Sequence, residues 1–233
     1  MPDTETNNIK ERYRKRKVQD YGDLYNFLNP YVYMWKQEFE RVLISNFISP
    51  YFKPIDNKTI IEIGCGTGIN LLEFIRLGFL PENLTGIELL PDRVSSAKSK
   101  LPSAVNIIND DASRIDASKN KYDIVFQSTV FTSIKNKSYQ QKLADVMWEL
   151  INPGGGILWY DFIYGNPRNQ DVCGMPVKSI RQLFPQANIR VKKITLAPPI
   201  GRIVTRIHPS LYSLLNVFPF LRTHVLCWIS KSS

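Results

Sequence analysis

The sequence predicts an α/β protein, a doubly wound sheet around one large core, on three observations. Between residues 59 and 162, short apolar runs rich in β-branched residues alternate with helical patterns, as strand–helix–strand units demand. The first run, Ile60 to Ile63, breaks into a glycine turn, Gly64-Cys65-Gly66-Thr67-Gly68, and restarts as a helix at Ile69. The second run ends in an acid, Glu88, placed where a strand-end carboxylate meets a ligand lying across the sheet. With 233 residues, 43% of them hydrophobic, the chain has enough apolar surface for one such core. Residues 1–50 are expected to form a basic arm and helical cap, and residues 51–233 the α/β unit.

Taken in order, residues 1–9 are polar and predict disorder. From Asp20 to Phe47, aromatic and aliphatic residues including Tyr21, Tyr31, Trp35, Phe39 and Leu43 partly follow helical spacing. Asn29-Pro30 divides that stripe, because the residue before a proline avoids the α region. A short helix, a turn and a longer helix over 31–48 are therefore expected to cap the ligand end of the sheet. Pro50 and Pro54 separate this cap from the first strand. A helix over 69–78 follows, then the strand Leu84 to Ile87, then a helix over 91–100. Pro91 suits the first turn of that last helix, and Asp92 complements its N-terminal dipole.

Ile107 begins the third strand, Tyr122 to Gln127 is the fourth and Ile157 to Phe162 the fifth, with a helix over 138–150 between the last two. Residues 164–171 form a loop crowded with polar side chains, the kind of segment in which binding residues concentrate. A helix over 177–183 leads to a sixth strand, 189–196, and 224–230 is the last. Between them, residues 197–221 hold Arg202, Arg206, His208 and an apolar face from Leu211, Leu214, Leu215, Val217 and Phe218, which reads as a helical substrate cover.

Gly64, Gly66 and Gly68 remove Cβ atoms where the turn brings backbone against a ligand. Their spacing is G-x-G-x-G rather than G-x-G-x-x-G. The register that seats a pyrophosphate in dinucleotide sites is missing, so a nucleotide-like ligand without a diphosphate is expected.

The run from Glu62 to Gly68 resembles motif I of the class I S-adenosylmethionine-dependent methyltransferases, and four later segments resemble that family's motifs in the right order. These are Leu84 to Glu88, Ile107 to Ala112, Tyr122 to Gln127, and Leu150 to Gly156, the last being similar to the turn before the family's fifth strand. The resemblance spans residues 59–162. It implies a Rossmann-like, seven-stranded sheet with the last strand antiparallel, and S-adenosylmethionine as cofactor. It also implies roles: Gly64 and Gly66 against the methionine and ribose, Glu88 on the ribose hydroxyls, Asp111 and Ala112 on the adenine, and Gln127 near the reactive methyl. Glu62, Cys65, Thr67, Gly68, Asn70 and Leu89 complete the expected cofactor set, with Tyr13 or Tyr21 closing over it from the N-terminal arm.

The segments Trp159 to Phe162, Asn166 to Asn169, Leu196 to Pro199 and Leu221 to His224 are similar to a bacterial methyltransferase subgroup associated with surface-polysaccharide biosynthesis. That implies a sugar, glycan or related small-molecule hydroxyl as acceptor, with Ser128, Asn166, Arg168, Asn169 and Arg202 on the substrate side. Methyl transfer from a sulfonium is an in-line displacement, so orientation carries much of the work and a base is needed only for a protonated nucleophile. For a hydroxyl acceptor the candidate bases are Asp161, His208 and His224. Asp161, Asn169 and Asp171 form an alternative set for a hard divalent cation, but nothing demands a metal and none is assigned.

Other classes are argued down by absence. Amino-group methyltransferases of the DNA and glutamine type carry an N-P-P-Y-like turn after the fourth strand, where Gln127-Ser128-Thr129-Val130 stands here, and the cytosine-C5 type needs a cysteine there. The formal charge of +9 suits an acidic partner, and Lys10 to Lys17 is a basic run. An RNA methyltransferase using that arm is one alternative, without a recognisable RNA-binding module to support it. A cofactor-binding regulatory protein without turnover is another. Three widely spaced cysteines, Cys65, Cys173 and Cys227, argue against a disulfide framework or zinc site. A polar start and a last apolar stretch broken by Asn216, Pro219, Arg222 and His224 predict a cytoplasmic protein without a membrane span.

Overall fold

The computed structural model describes residues 2–18, 26–50, 52–165 and 171–231. Among the described residues seven strands form one sheet: β1 (Ile60–Ile63), β2 (Leu84–Glu88), β3 (Asn106–Asn109), β4 (Tyr122–Ser128), β5 (Ile151–Phe162), β6 (Ala187–Leu196) and β7 (Arg222–Lys231). Their spatial order is β3-β2-β1-β4-β5-β7-β6, and β7 runs antiparallel between β5 and β6. The doubly wound, Rossmann-like sheet with an antiparallel last strand is the fold expected. Strand order reverses between β1 and β4, where Ile63 lies level with Ile87 on one side and Gln127 on the other. That reversal opens a crevice outside the carboxyl ends of the strands.

β5 is longer than expected. Residues 151–156 are strand rather than the turn before it: Ile151 pairs with Tyr122, the register shifts, and Gly156 then faces Ile124. Gly156 has no room for a side chain, since a Cβ there would lie 2.6 Å from the Trp228 ring.

Eight α-helices among the described residues accompany the sheet: α1 (Pro2–Val18), α2 (Pro30–Leu43), α3 (Ile69–Arg76), α4 (Pro91–Lys100), α5 (Lys137–Glu149), α6 (Val177–Leu183), α7 (Pro198–Ile207) and α8 (Ser210–Leu215). Alternation along the strands sends Ile61, Ile63, Val125, Ile157 and Trp159 to a core under α5 and α6, and Ile60, Ile124, Phe126, Leu158 and Tyr160 to a core under α2, α3 and α4. The cap expected over the ligand end is thus divided. α2 instead lies on a sheet face, with Trp35 and Phe39 against Tyr160, because its apolar stripe needs a broad apolar partner. Tyr21 and the short helix expected before Asn29 lie outside the described residues.

Residues 2–9, within the segment expected to be disordered, begin α1. The helix itself is polar, so its own stripe does not hold it. Specific contacts do: Ile9 enters the α5 core, Thr6 and Glu5 are buried, and Arg12 donates to both Glu5 (2.7 Å) and the Ser133 carbonyl (3.0 Å).

The insert between β6 and β7 docks on α2 through one buried carboxylate. Glu38 accepts from the Tyr212 hydroxyl (2.6 Å) and the Thr195 amide (3.0 Å), and Thr195 sits at φ 65°, a costly backbone for a β-branched residue. Tyr212→Phe strips this carboxylate of a charge-assisted hydrogen bond. Its expected cost is about 1.5–3 kcal/mol in urea unfolding, and an unchanged midpoint would show that Glu38 finds another donor.

Candidate functional site

The glycine turn leaves β1 with three glycines in the left-handed region, Gly64 at φ 67°, Gly66 at 58° and Gly68 at 81°. A Cβ at Gly64 would lie 2.7 Å from Val130, and one at Gly68 would lie 2.6 Å from Leu101. Open space faces Gly66, so this glycine presents bare backbone. The turn is braced by Glu88 at the end of β2, whose carboxylate accepts from the Gly66 amide and the Leu90 amide, both at 2.9 Å.

A cleft of about 150 Å³ opens here over the ends of β1, β2 and β3. Gly64, Glu88, Leu89, Asp111 and Ala112 line it together with Ser128 and Tyr13, so seven of the residues expected around a ligand converge. Asp111 is the most heavily bonded acid in the wall. It accepts from the Tyr139 hydroxyl (2.6 Å), the Ser113 amide (2.9 Å) and, across from α1, the Thr6 hydroxyl (2.7 Å). Burial pushes its pKa up, but these donors outweigh burial and hold it below the ordinary aspartate value. Burial, together with the same contact, pushes the Tyr139 phenol up to about 12. Arg93 lies over the Tyr13 ring at 4.4 Å, closing the α1 side.

The loop after β4 forms the opposite rim. Thr129 is held at φ 57° by its amide on the Tyr160 carbonyl, and such strain in a β-branched residue is a common mark of functional segments.

Other expected residues lie elsewhere. Cys65 is buried beneath the turn against Gly86, and burial raises its thiol pKa far out of reach of ionisation. Gln127 is fully buried; its side chain accepts from the Val130 amide and so shapes the rim from below. Glu62 points to the α2 face. Asn70 donates to one of its oxygens at 2.7 Å, the other has no partner among the described residues, and burial lifts its pKa to about 8. Thr67 and Gly68 complete the turn without lining the cleft.

The three candidate bases are not brought together, and none lines the cleft. Asp161 is fully buried behind the rim loop, where one oxygen accepts from the Phe162 amide at 3.2 Å and the other has no partner among the described residues, and desolvation raises its pKa to about 7. His224 stacks on Tyr160 at 5.2 Å, on the α2 side of the sheet, with burial lowering its pKa to about 4. His208 is exposed at the end of α7 and accepts from the Ser210 amide. Arg202 lies on α7 over the Tyr31 ring at 5.7 Å. Asn166, Arg168 and Asn169 lie outside the described residues. Among the described residues no group of three or more His, Cys, Asp or Glu is placed to hold a metal ion.

Sequence reasoning missed Thr6, Ile9, Arg93, Ser133 and Tyr139. Their roles come from the packing of α1 and α5 over the cleft, which no local pattern encodes. A larger cavity of about 220 Å³ lies between α2 and α3, lined by Tyr33, Lys36, Phe39, Asn70 and Phe74, on the other side of β1. In its wall Lys36 donates to Asn70, which in turn donates to Glu62 on β1.

The cleft fits an adenosyl ligand. Glu88 stands at the end of β2 and Asp111 just after β3, the turn brings Gly64 to the wall, and Ile63, Leu89, Ala112 and Leu143 supply apolar walls for a flat base. The Asp111 oxygen that accepts from Thr6 keeps a lone pair for a further donor.

Residues 60–155 match a family model described as a methyltransferase domain. Among curated proteins, malonyl-[acyl-carrier protein] O-methyltransferase 2 of Ilyobacter polytropus is 35% identical over 105 residues, covering 44% of this chain and 39% of that protein. An uncharacterised protein of Rickettsia prowazekii, RP028, is 31% identical over 110 residues, covering 44% and 42%. The chain spans about two fifths of the length of the curated relatives it matches.

Among solved structures, the N-methyltransferase NodS of Bradyrhizobium japonicum, in complex with S-adenosyl-L-homocysteine, superposes with a TM-score of 0.66 at 12% identity, covering 95% of this chain and 98% of that one. Magnesium protoporphyrin IX methyltransferase of Synechocystis gives 0.61 at 13%, covering 93% and 100%. The [4+2]-cyclase SpnF gives 0.60 at 12%, covering 84% and 83%, so the fold alone does not fix the reaction. The matched segment opens at Ile60, four residues before the glycine turn, and takes in Glu88 and Asp111. Over residues 60–155 the chain is therefore similar to a methyltransferase domain, and its fold is that of the solved methyltransferases.

Proposed function

We propose that the protein transfers a methyl group from S-adenosylmethionine to an oxygen of a small molecule, with a sugar or glycan hydroxyl as the leading acceptor. The observation that carries the reading is the convergence of Gly64 of the glycine turn, Glu88 and Asp111 on one cleft. When bound there, the cofactor supplies an electrophilic methyl on a sulfonium. Glu88 holds the ribose, Asp111 the adenine amine, and the Ser128–Val130 rim borders the acceptor. Tyr13 and Arg93 shield the adenosyl side from water.

An oxygen acceptor is supported by the O-methyltransferase of I. polytropus, although the N-methyltransferase NodS shows that nitrogen acceptors occur on the same fold. The sugar class rests on the sequence resemblance of residues 159–162, 196–199 and 221–224. Because none of Asp161, His208 and His224 reaches the cleft, the reaction in this reading depends on positioning, with the acceptor proton released to solvent. The RNA reading loses ground, since Arg12 and Tyr13 of the basic run turn inward onto Glu5, Ser133 and the cleft.

The test is transfer of labelled methyl from S-adenosylmethionine into an extract of cells lacking the gene, separated into polysaccharide, nucleic-acid, protein and small-molecule pools. Gly64→Arg, which clashes with Val130, is the blank. Label in the polysaccharide or sugar-precursor pool, absent with the blank, is expected. Label confined to the nuclease-sensitive pool would overturn the acceptor class, and no label in any pool would overturn the activity.

A further inference from the structure

We infer that the α7–α8 insert is a docking surface for an anionic lipid membrane. After Asp171 the sequence contains no Asp or Glu and nine Lys and Arg, as many as the net charge of the whole chain, so residues 1–171 are neutral overall and the final quarter holds all the excess. Within that quarter the insert buries one side and bares the other. Ile200, Val204, Tyr212, Leu215 and Leu221 pack on Tyr31 and Val32 of α2. On the outside stand Ile203, Ile207, Leu214, Val217, Phe218 and Phe220, between 45% and 73% exposed. Ile203 and Ile207 share one face of α7, and the Phe218 and Phe220 rings meet at 5.7 Å in the turn into β7.

Exposed apolar side chains standing singly need no explanation, but six on one short insert do. Cations border them. Arg206 is exposed on α7 itself, and Lys192 and Lys193 are exposed on β6, where the Lys193 carbonyl is tied through Arg222 to Asn216 at the end of α8. Lysines on an edge strand also discourage strand pairing, which accounts for Lys192 and Lys193 but not for the bare Phe and Ile beside them. An apolar face with basic residues around it and no acid of its own is the composition that enters the headgroup region of an anionic bilayer: the apolar side chains reach the acyl boundary and the guanidinium and ammonium groups stay at the phosphates. No helix among the described residues is long and apolar enough to cross a membrane, so the attachment is peripheral.

The insert connects the carboxyl end of β6 to the start of β7, beside Phe162 at the end of β5. It therefore stands at the edge of the sheet onto which the cleft opens. A membrane bound there would face the acceptor side of the domain rather than its back.

The experiment is sedimentation of the full chain with vesicles of phosphatidylcholine alone or with one third phosphatidylglycerol, at physiological ionic strength. Binding at least tenfold stronger to the anionic vesicles is expected. Phe218→Ser with Phe220→Ser should lower that binding at least tenfold with an unchanged thermal midpoint, and Arg206→Glu should lower it by a similar factor and make what remains less sensitive to salt. Because all three side chains are exposed, the fold survives their replacement. Equal binding to both vesicles, no binding, or binding indifferent to the Phe pair would overturn the inference. So would binding to an RNA duplex without vesicle binding, or a monomer produced by the Phe pair from a chain that self-associates and leaves vesicles alone. None of these readouts depends on methyl transfer.

Discussion

Replacing Glu88 by alanine is expected to weaken S-adenosylhomocysteine binding by about 10- to 100-fold, on the order of 1.5–3 kcal/mol for hydrogen bonds made by a charged group. Two losses combine. The proposed contacts to the ribose hydroxyls vanish, and so do the acceptors for the Gly66 and Leu90 amides, which set the height of the turn above β2. The variant Glu88→Gln separates them: an amide keeps one acceptor oxygen, so it should hold the turn partly in place while losing the charge-assisted part. Titration calorimetry on both variants, with circular dichroism to establish folding, reads the difference. Unchanged affinity in folded Glu88→Ala would remove Glu88 from the ribose. A loss equal in the two variants would make the carboxylate charge itself the dominant contribution.

The frame of this site was legible in the sequence because its signals are local. Gly64, Gly66 and Gly68 are spaced for a turn of positive φ, Pro91 and Asp92 open a helix where α4 begins, and the carboxylates of Glu88 and Asp111 stand at strand ends that alternation alone locates. What was not legible is whatever depends on which elements meet. α1 reads as a polar arm, since its anchoring rests on a few residues, Glu5, Thr6, Ile9 and Arg12, whose partners lie more than a hundred residues away. Tyr139 follows an ordinary helix start capped by Asn136, and nothing at that point says that its hydroxyl ends on Asp111. Asp161 shows the opposite error. A carboxylate at the end of a strand beside the ligand edge reads as a base, but pairing with Val225 on β7 turns its side chain under the rim loop, into the interior.

That burial makes Asp161 the site of the second large effect. Its folded pKa of about 7 stands well above the roughly 3.9 of an unfolded aspartate. Between those values the folded chain holds a proton that the unfolded chain has released, so this group's contribution to stability falls as pH rises from about 4 to about 7 and is flat beyond. Asp161→Asn cannot ionise and is free of that penalty. Relative to wild type, the variant should therefore gain about 2–3 kcal/mol between pH 5 and pH 8, since about 1.5 kcal/mol of the whole cost of ionising the buried carboxyl is already incurred below pH 5. Glu62, raised to about 8, slopes the same way, and His224, lowered to about 4, slopes the other way between about 4 and 6.5. Both are common to the two proteins and cancel in the difference. Urea unfolding at the two pH values measures it, and a pH-independent difference would show that Asp161 titrates normally. The same variant bears on catalysis: a base must touch the acceptor, whereas Asp161 has no exposed surface and accepts from the Phe162 amide beneath the rim. Methyl transfer by Asp161→Asn is thus expected within about tenfold of wild type, below the roughly 100- to 10,000-fold that losing a general base costs. A loss of a thousandfold with the rim intact would return Asp161 to the reacting atoms.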